Sequence, residues 1–149
     1  MWENAQDAYL EQRVLSADPL ELVRLMYHAA IAAVRDARRD LSTGEIAARS
    51  RSISKACGIV LELNAALDHS QDGEISARLA ALYDYMLRRL LEANMQQSDA
   101  LLAEVLGLLS TLSEAWEQTR LVAHPSPPEN AWQPQPETIL GAGSQAWSV

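Results

Sequence analysis

Phenylalanine is absent from this chain and cysteine occurs once, at Cys57. A lone cysteine excludes an internal disulfide and fits a reducing cytoplasm. Within an apolar helical stretch it reads as a small core residue, not a reactive thiol. Glycine is scattered as six single residues, so no glycine-rich loop is available to cradle a phosphate. No window reaches the roughly 18 uncharged apolar residues of a membrane span, which predicts no membrane insertion. Met1 to Leu10 carries Glu3 and Asp7 and no apolar run, so it does not read as a secretory signal. Positive charge is scarce: 12 Lys and Arg against 20 Asp and Glu leave a net charge of −8, which argues against a nucleic-acid partner. Valine and isoleucine are sparse beside leucine and alanine, a balance that favours helices over strands.

The constellations that carry chemistry are missing as well. A di-iron site in a helical bundle needs Glu-x-x-His pairs on facing helices. Three residues before His28, His69 and His124 stand Leu25, Ala66 and Leu121. His69 follows Asp68 at the expected end of a helix, where the macrodipole alone favours a histidine. No grouping of Ser, Cys and His offers a nucleophile with its base. Glu62, Glu92 and Glu104 fall within apolar helices, where ion pairs with Arg89 or Lys55 account for them better than acid–base chemistry. The sequence therefore predicts a protein that is not an enzyme and has no metal or cofactor.

What remains is a folding sequence: 149 residues, 48% of them apolar, enough for one domain with a real core. Asp18-Pro19-Leu20-Glu21 combines an acidic N-cap, proline at the first helical position and a glutamate three residues after the cap. Ser42-Thr43-Gly44-Glu45 is read as the stop of one helix and the cap of the next. Asp68 to Gly73 is a polar break with Asp72 as a cap, and Gln96 to Asp99 is another, capped by Ser98 or Asp99. These signals predict helices over about 19–41, 45–68, 73–96 and 99–120, each about 33–36 Å long. Short loops between equal helices imply an all-α, antiparallel up-down four-helix bundle. Residues 1–17 precede it as a separate segment. From Leu121 to Val149 there are five of the six prolines and no Lys or Arg, so 121–149 is read as an extended or disordered tail. Trp132 and Trp147 lie in that tail, each able to dock.

Helical periodicity places Ile53, Cys57, Val60, Asn64 and Leu67 on one stripe of helix two. Ile75, Leu79, Leu82, Met86, Leu90 and Ala93 line helix three, and Leu101, Val105, Leu108, Leu112 and Ala115 line helix four. Apolar residues also stand beside these stripes: Ile59 and Leu63, Leu87 and Leu91, and Leu102, Leu106 and Leu109. A bundle helix needs about three apolar positions in seven. The surplus points to grooves for another polypeptide or to a homodimer interface.

Four stretches carry a family resemblance. Ser16-Ala17-Asp18-Pro19-Leu20-Glu21-Leu22 through Leu25-Met26-Tyr27 opens helix one. Ile59-Val60-Leu61-Glu62-Leu63-Asn64 with Leu67-Asp68 closes helix two. Gly73-Glu74-Ile75-Ser76, Leu82-Tyr83-Asp84-Tyr85-Met86 and Arg88-Arg89-Leu90 mark helix three. Glu104-Val105, Leu108-Leu109, Leu112 and Ala115-Trp116 mark helix four. In order and in register over about residues 9–118, they resemble the flagellin-export chaperone family FliS. His28 and Ala29 depart from the acid and glycine common there, and the proline-rich tail has no counterpart.

The resemblance implies a cytoplasmic chaperone that binds the disordered C-terminal segment of flagellin. It would prevent early polymerisation and deliver its cargo to the flagellar type III export gate, as a monomer or weak dimer when free. It also implies that the N-terminal segment caps the cargo groove, placing Tyr9 and Leu10 on or beside it. The remaining expected contacts are Ile59, Leu63, Asn64, Leu67, Leu87, Leu91 and Asn94, with packing inside the bundle as the competing role for each. Asn64, polar on an apolar face, needs a hydrogen-bond partner, from cargo or from the bundle. A generic helical adaptor or homodimeric bundle shares the composition. A chaperone for another type III cargo does not fit the all-helical pattern.

Overall fold

A computed structural model describes residues 5, 7–9, 11, 18–71 and 73–123. Leu10, the proposed cap Asp72, most of segment 1–17 and the tail from 124 onward lie outside the described residues. Four long helices follow one another: α1 (Pro19–Thr43), α2 (Ile46–Ala65), α3 (Gly73–Gln96) and α4 (Asp99–Ala123). No strand occurs among the described residues. The fold is all-helical.

The helix ends follow local chemistry. Asp18 is extended, and its Oδ1 accepts the Glu21 amide at 2.8 Å. Pro19 then occupies the first turn, where a missing N–H costs nothing. α1 runs two residues past the expected stop and ends at Gly44, whose φ of 75° is the left-handed conformation that glycine adopts without penalty. The Gly44 amide returns to the carbonyls of Asp40 and Leu41. Ser42 and Thr43 do not cap α2. Their hydroxyls bond back to the Arg39 and Asp40 carbonyls, and Glu45 leads into α2 with no side-chain cap.

α2 also stops at Ala65, short of the expected 68. There the chain turns locally, with Asp68 Oδ1 accepting the Ser70 amide at 2.9 Å. Gln97, with φ at 53°, ends α3. Ser98 Oγ then caps α4 by accepting the Leu101 amide at 3.3 Å. α4 continues through Ala123, three residues into the stretch read as tail.

α1 packs against α2 and α4, α2 against α3, and α3 against α4. Arg38, late in α1, forms two hydrogen bonds with Asp99, the first residue of α4. Trp116, late in α4, bonds to Tyr27, early in α1. Arg49, early in α2, bonds to Asn94, late in α3.

Alanines line much of the α1 core face: Ala30, Ala33 and Ala37 are buried beside Tyr27 and Val34. The buried stripes sit one position away from several expected ones. On α2 the core residues are Ile53, Ala56, Val60 and Leu63, with Cys57, Asn64 and Leu67 half-buried at the margin. On α3 Met86, Leu90 and Ala93 are buried as expected. Tyr83 replaces Leu82, which is half-buried with Leu79, and Ile75 is exposed. On α4 Leu102, Val105 and Leu109 form the core. Leu101, Leu108 and Leu112 are half-buried and Ala115 is exposed. Because apolar residues flank each stripe on both sides, periodicity alone leaves the helix rotation open by about one position, or 100°. Packing decides it.

Gly107 lies inside α4 with open space where a Cβ would project. Gly44→Ala forces a side chain into the left-handed region and is expected to lower stability by about 1 kcal/mol. Gly107→Ala removes unfolded-state entropy and is expected to raise it by about 0.5–1 kcal/mol. Urea denaturation of the two variants should show midpoints shifted in opposite directions.

Candidate partner-binding surfaces

Two concave surfaces and one exposed patch stand out, and each is explained by the residues beneath it. The first groove runs between α1 and α2. Leu22, Leu25, Met26 and Ala29 form one wall, spaced as a single face of α1. Lys55, Gly58, Ile59 and Glu62 form the other. Gly58 and Ala29 contribute little side chain, so a depression of about 370 Å³ opens between apolar walls. Lys55 and Glu62 are exposed on its rim.

The second concavity, of about 250 Å³, lies where α2 turns into α3. Leu67, Ile75 and Leu79 surround it, with Val23, Leu63, Tyr83 and Trp116 also in its lining. Ser76 Oγ donates to the Asp68 carbonyl at 2.9 Å and ties the turn to α3. Beneath it lies a cluster of aromatic hydrogen bonds. The Tyr27 and Tyr83 hydroxyls are bonded at 2.5 Å, and Trp116 Nε1 donates to the Tyr27 oxygen at 3.2 Å. Both tyrosines are fully buried. Burial pushes both phenol pKa values above their ordinary range, Tyr83 furthest.

The exposed patch lies elsewhere along α2 and α3. Ile46, Leu91 and Met95 are 63%, 58% and 83% exposed. The Arg49–Asn94 bond brings the start of α2 and the end of α3 together beneath them.

These surfaces divide the residues expected from the sequence. Ile59 lines the α1–α2 groove. Leu67 lines the second concavity together with Leu63, which is 3% exposed and packs into the core beneath it. Leu91 belongs to the exposed patch, and Leu87 is half-buried against the core. Asn94 is half-buried, and its Oδ1 accepts from Arg49 Nε at 3.1 Å and Ser50 Oγ at 3.3 Å, a tie between α2 and α3. Asn64 is half-buried at the core margin. Tyr9 is helical and 64% exposed, while Leu10 lies outside the described residues.

Ile59, Leu67 and Leu91 thus lie on three different surfaces. Sequence reasoning missed Leu22, Leu25 and Met26. The signal was present in their three-, four- and seven-residue spacing with Ala29, alongside the buried Tyr27-Ala30-Val34 stripe. Among the ion pairs anticipated, Arg89 bonds to Glu92 at 2.8 Å and lies 3.8 Å from Glu104. Its Nε also donates to the Tyr85 hydroxyl, which in turn donates to Glu104. Among the described residues, no three His, Cys, Asp or Glu side chains are grouped to hold a metal. Burial pushes the Cys57 thiol pKa up, which keeps it protonated and unreactive. No helix in the described residues is long and apolar enough to cross a membrane.

The sequence beneath this fold matches a known family. A family model described as "Flagellar protein FliS" matches residues 2–123. The chain belongs to the FliS family. It is 42% identical to the flagellar secretion chaperone FliS of Salmonella typhimurium over 110 residues, which is 73% of this chain and 82% of that protein. It is 34% identical to the flagellar secretion chaperone FliS of Bacillus subtilis over 116 residues, 78% of this chain and 86% of that one. The flagellar secretion chaperone FliSB of Pseudomonas aeruginosa is 34% identical over 112 residues, covering 75% of this chain and 89% of its own. Residues 124–149 fall outside the FliS family match.

Tyr27→Phe strips the shared hydroxyl from both Tyr83 and Trp116. It is expected to cost about 1–3 kcal/mol, more than Tyr83→Phe, while the double variant costs less than the sum of the two. Chemical denaturation of the three variants measures this. The pH dependence has a fixed sign. Both phenols titrate higher in the folded state than the ordinary value near 10. Their stabilising contribution is therefore full below about pH 10 and is lost as pH rises further and the unfolded phenols ionise first. A wild-type melting temperature that falls above pH 10, and falls less in Tyr83→Phe, is the expected result.

Proposed function

We propose that this FliS-family chain is a cytoplasmic chaperone that binds the disordered C-terminal segment of flagellin. It holds the segment unpolymerised and presents it to the flagellar type III export gate. The observation that carries this reading is apolar surface left open along α1, α2 and α3, in a chain whose relatives are named flagellar secretion chaperones. A disordered segment can wrap such a surface, setting apolar side chains into separate depressions, and its ordering cost is offset by contacts on several helices. No cofactor takes part.

The scaffold for this binding is read as an antiparallel up-down four-helix bundle. Its support is the pairing of opposite ends: Arg38 with Asp99, Tyr27 with Trp116, and Arg49 with Asn94. Segment 1–17 acts as a cap that cargo displaces, with Tyr9 and Leu10 on its groove side. The free protein is a monomer or weak dimer. A helical adaptor for a different protein is the second reading, supported by the same exposed leucines and methionine.

Coexpression with the flagellin of the same organism, followed by size-exclusion chromatography, is the deciding experiment. A one-to-one complex that disappears when the flagellin C-terminal segment is deleted is expected; its absence would sink the proposal. Ile59→Asp and Leu91→Asp should each weaken the complex at least tenfold in a titration while leaving the circular dichroism spectrum unchanged. Removing residues 1–15 should raise flagellin affinity, and an unchanged titration would remove the cap.

A further inference from the structure

The cations of this chain fall into two sets. Arg24, Arg38, Arg39, Arg78 and Arg89 each pair with a carboxylate. Arg35, Arg51, Lys55 and Arg88 are exposed and pair with none among the described residues. The last three stand on α2 and α3, the helices that carry the exposed Ile46, Leu91 and Met95. We infer that this patch takes a segment of the cargo whose apolar side chains are flanked by carboxylates, and that Arg51 and Arg88 select for them. The assignment to cargo rests on the proposed chaperone role; the preference for an acidic segment rests on the surface itself.

Placement is the first argument. Arg88 is three residues before Leu91 and seven before Met95, so the three share one face of α3. On α2, Arg49 is buried and Ser50 half-buried, and both bond to Asn94 of α3. Arg51 stands one step, about 100°, further round and is exposed. Along the axes, Arg51 lies about 3 Å past Arg49, and Arg88 about 9 Å before Asn94. The seam of the two helices therefore carries Ile46 and Leu91, with Arg51 on its α2 side and Arg88 on its α3 side.

Charge is the second. The whole chain carries −8, yet residues 46–61 contain no acid. Within them stand Arg49, Arg51 and Lys55, the only lysine of the chain. On α3, Glu92 is occupied by Arg89 at 2.8 Å, toward Glu104 of α4. Glu45, just ahead of Ile46, and Asp84, one turn before Arg88, are exposed where this positive stretch ends. At about 0.15 M salt the Debye length is about 8 Å, so acids elsewhere on the surface are screened and the local cations decide.

Chemistry is the third. A guanidinium holds a carboxylate through two parallel N–H bonds. Its alkyl stem covers apolar surface while the charged head stays in water. An arginine at each edge thus widens the contact made by Leu91 and Met95 and offers donors to an incoming acid. Neither Arg51 nor Arg88 forms a hydrogen bond or ion pair among the described residues, so both are available.

The probes are two labelled amphipathic peptides with the same leucine stripe, one with glutamates beside it and one with lysines. Fluorescence anisotropy against the full chain at about 0.15 M salt is expected to show the glutamate peptide bound roughly fivefold tighter or more, against the sign of the net charge. R51E/R88E should reverse the order and R51Q/R88Q should level it. R35E, on α1, should leave it unchanged, and all variants should keep the wild-type circular dichroism spectrum. With the flagellin of the same organism, R51E/R88E should weaken the complex by roughly fivefold or more. A glutamate peptide that binds no tighter than the lysine peptide overturns the inference, as does an order that survives R51E/R88E. A flagellin complex indifferent to R51E/R88E overturns the assignment to cargo and leaves the chaperone role standing. If the wild-type chain forms no flagellin complex, the chaperone role fails, and the peptide pair alone decides what the surface selects.

Discussion

Three polar atoms from three helices meet in the interior of this protein. The Tyr27 hydroxyl bonds the Tyr83 hydroxyl of α3 and receives the Trp116 indole N–H of α4. Removed from water, each of these groups is costly unless paired. They pair only if all three helices present the correct side at the same height. The cluster therefore fixes rotation and register together, which apolar packing alone does loosely. Once Tyr27 points inward, Leu22, Leu25, Met26 and Ala29 must face away from it toward the α1–α2 seam. The outward apolar surface follows from the inward polar contact.

The opposite ends of the helices are joined by different chemistry. Arg38 and Asp99 form a two-pronged pair at the surface. Arg49, almost fully buried, donates to both the side chain and the backbone carbonyl of Asn94. Ser52 donates to the carboxylate of Asp40. Exposed pairs of this kind contribute little each, but the buried guanidinium would be costly without Asn94. Asn94, near the end of α3, thus has a structural role in pairing the buried guanidinium.

Helix existence, most helix ends and the family were legible in the sequence, because caps and breaks are local. Asp18-Pro19, Gly44 and Ser98 act through bonds to residues three or four positions away, and such contacts can be read from a string. Stripe assignment was less legible. Leu102 and Leu109 versus Leu101 and Leu108 are equivalent choices by period, and the choice depends on the aromatic cluster, whose members lie 56 and 89 residues apart in sequence. The same gap hides the burial of Leu63 and the bond between Asn94 and Arg49. The α1 wall of the groove lies on the side of the helix away from Tyr27, a face that the helix-one motif does not single out.

The solitary Lys55 has a practical corollary. Eleven arginines accompany it, and none carries a primary amine. Acylating reagents and amine-directed cross-linkers therefore find one side-chain target in the whole chain, at the mouth of the α1–α2 groove. Any polypeptide resting there would be tethered at a single known atom, Nζ of Lys55, and mass spectrometry of the adduct would map the occupant against a fixed point.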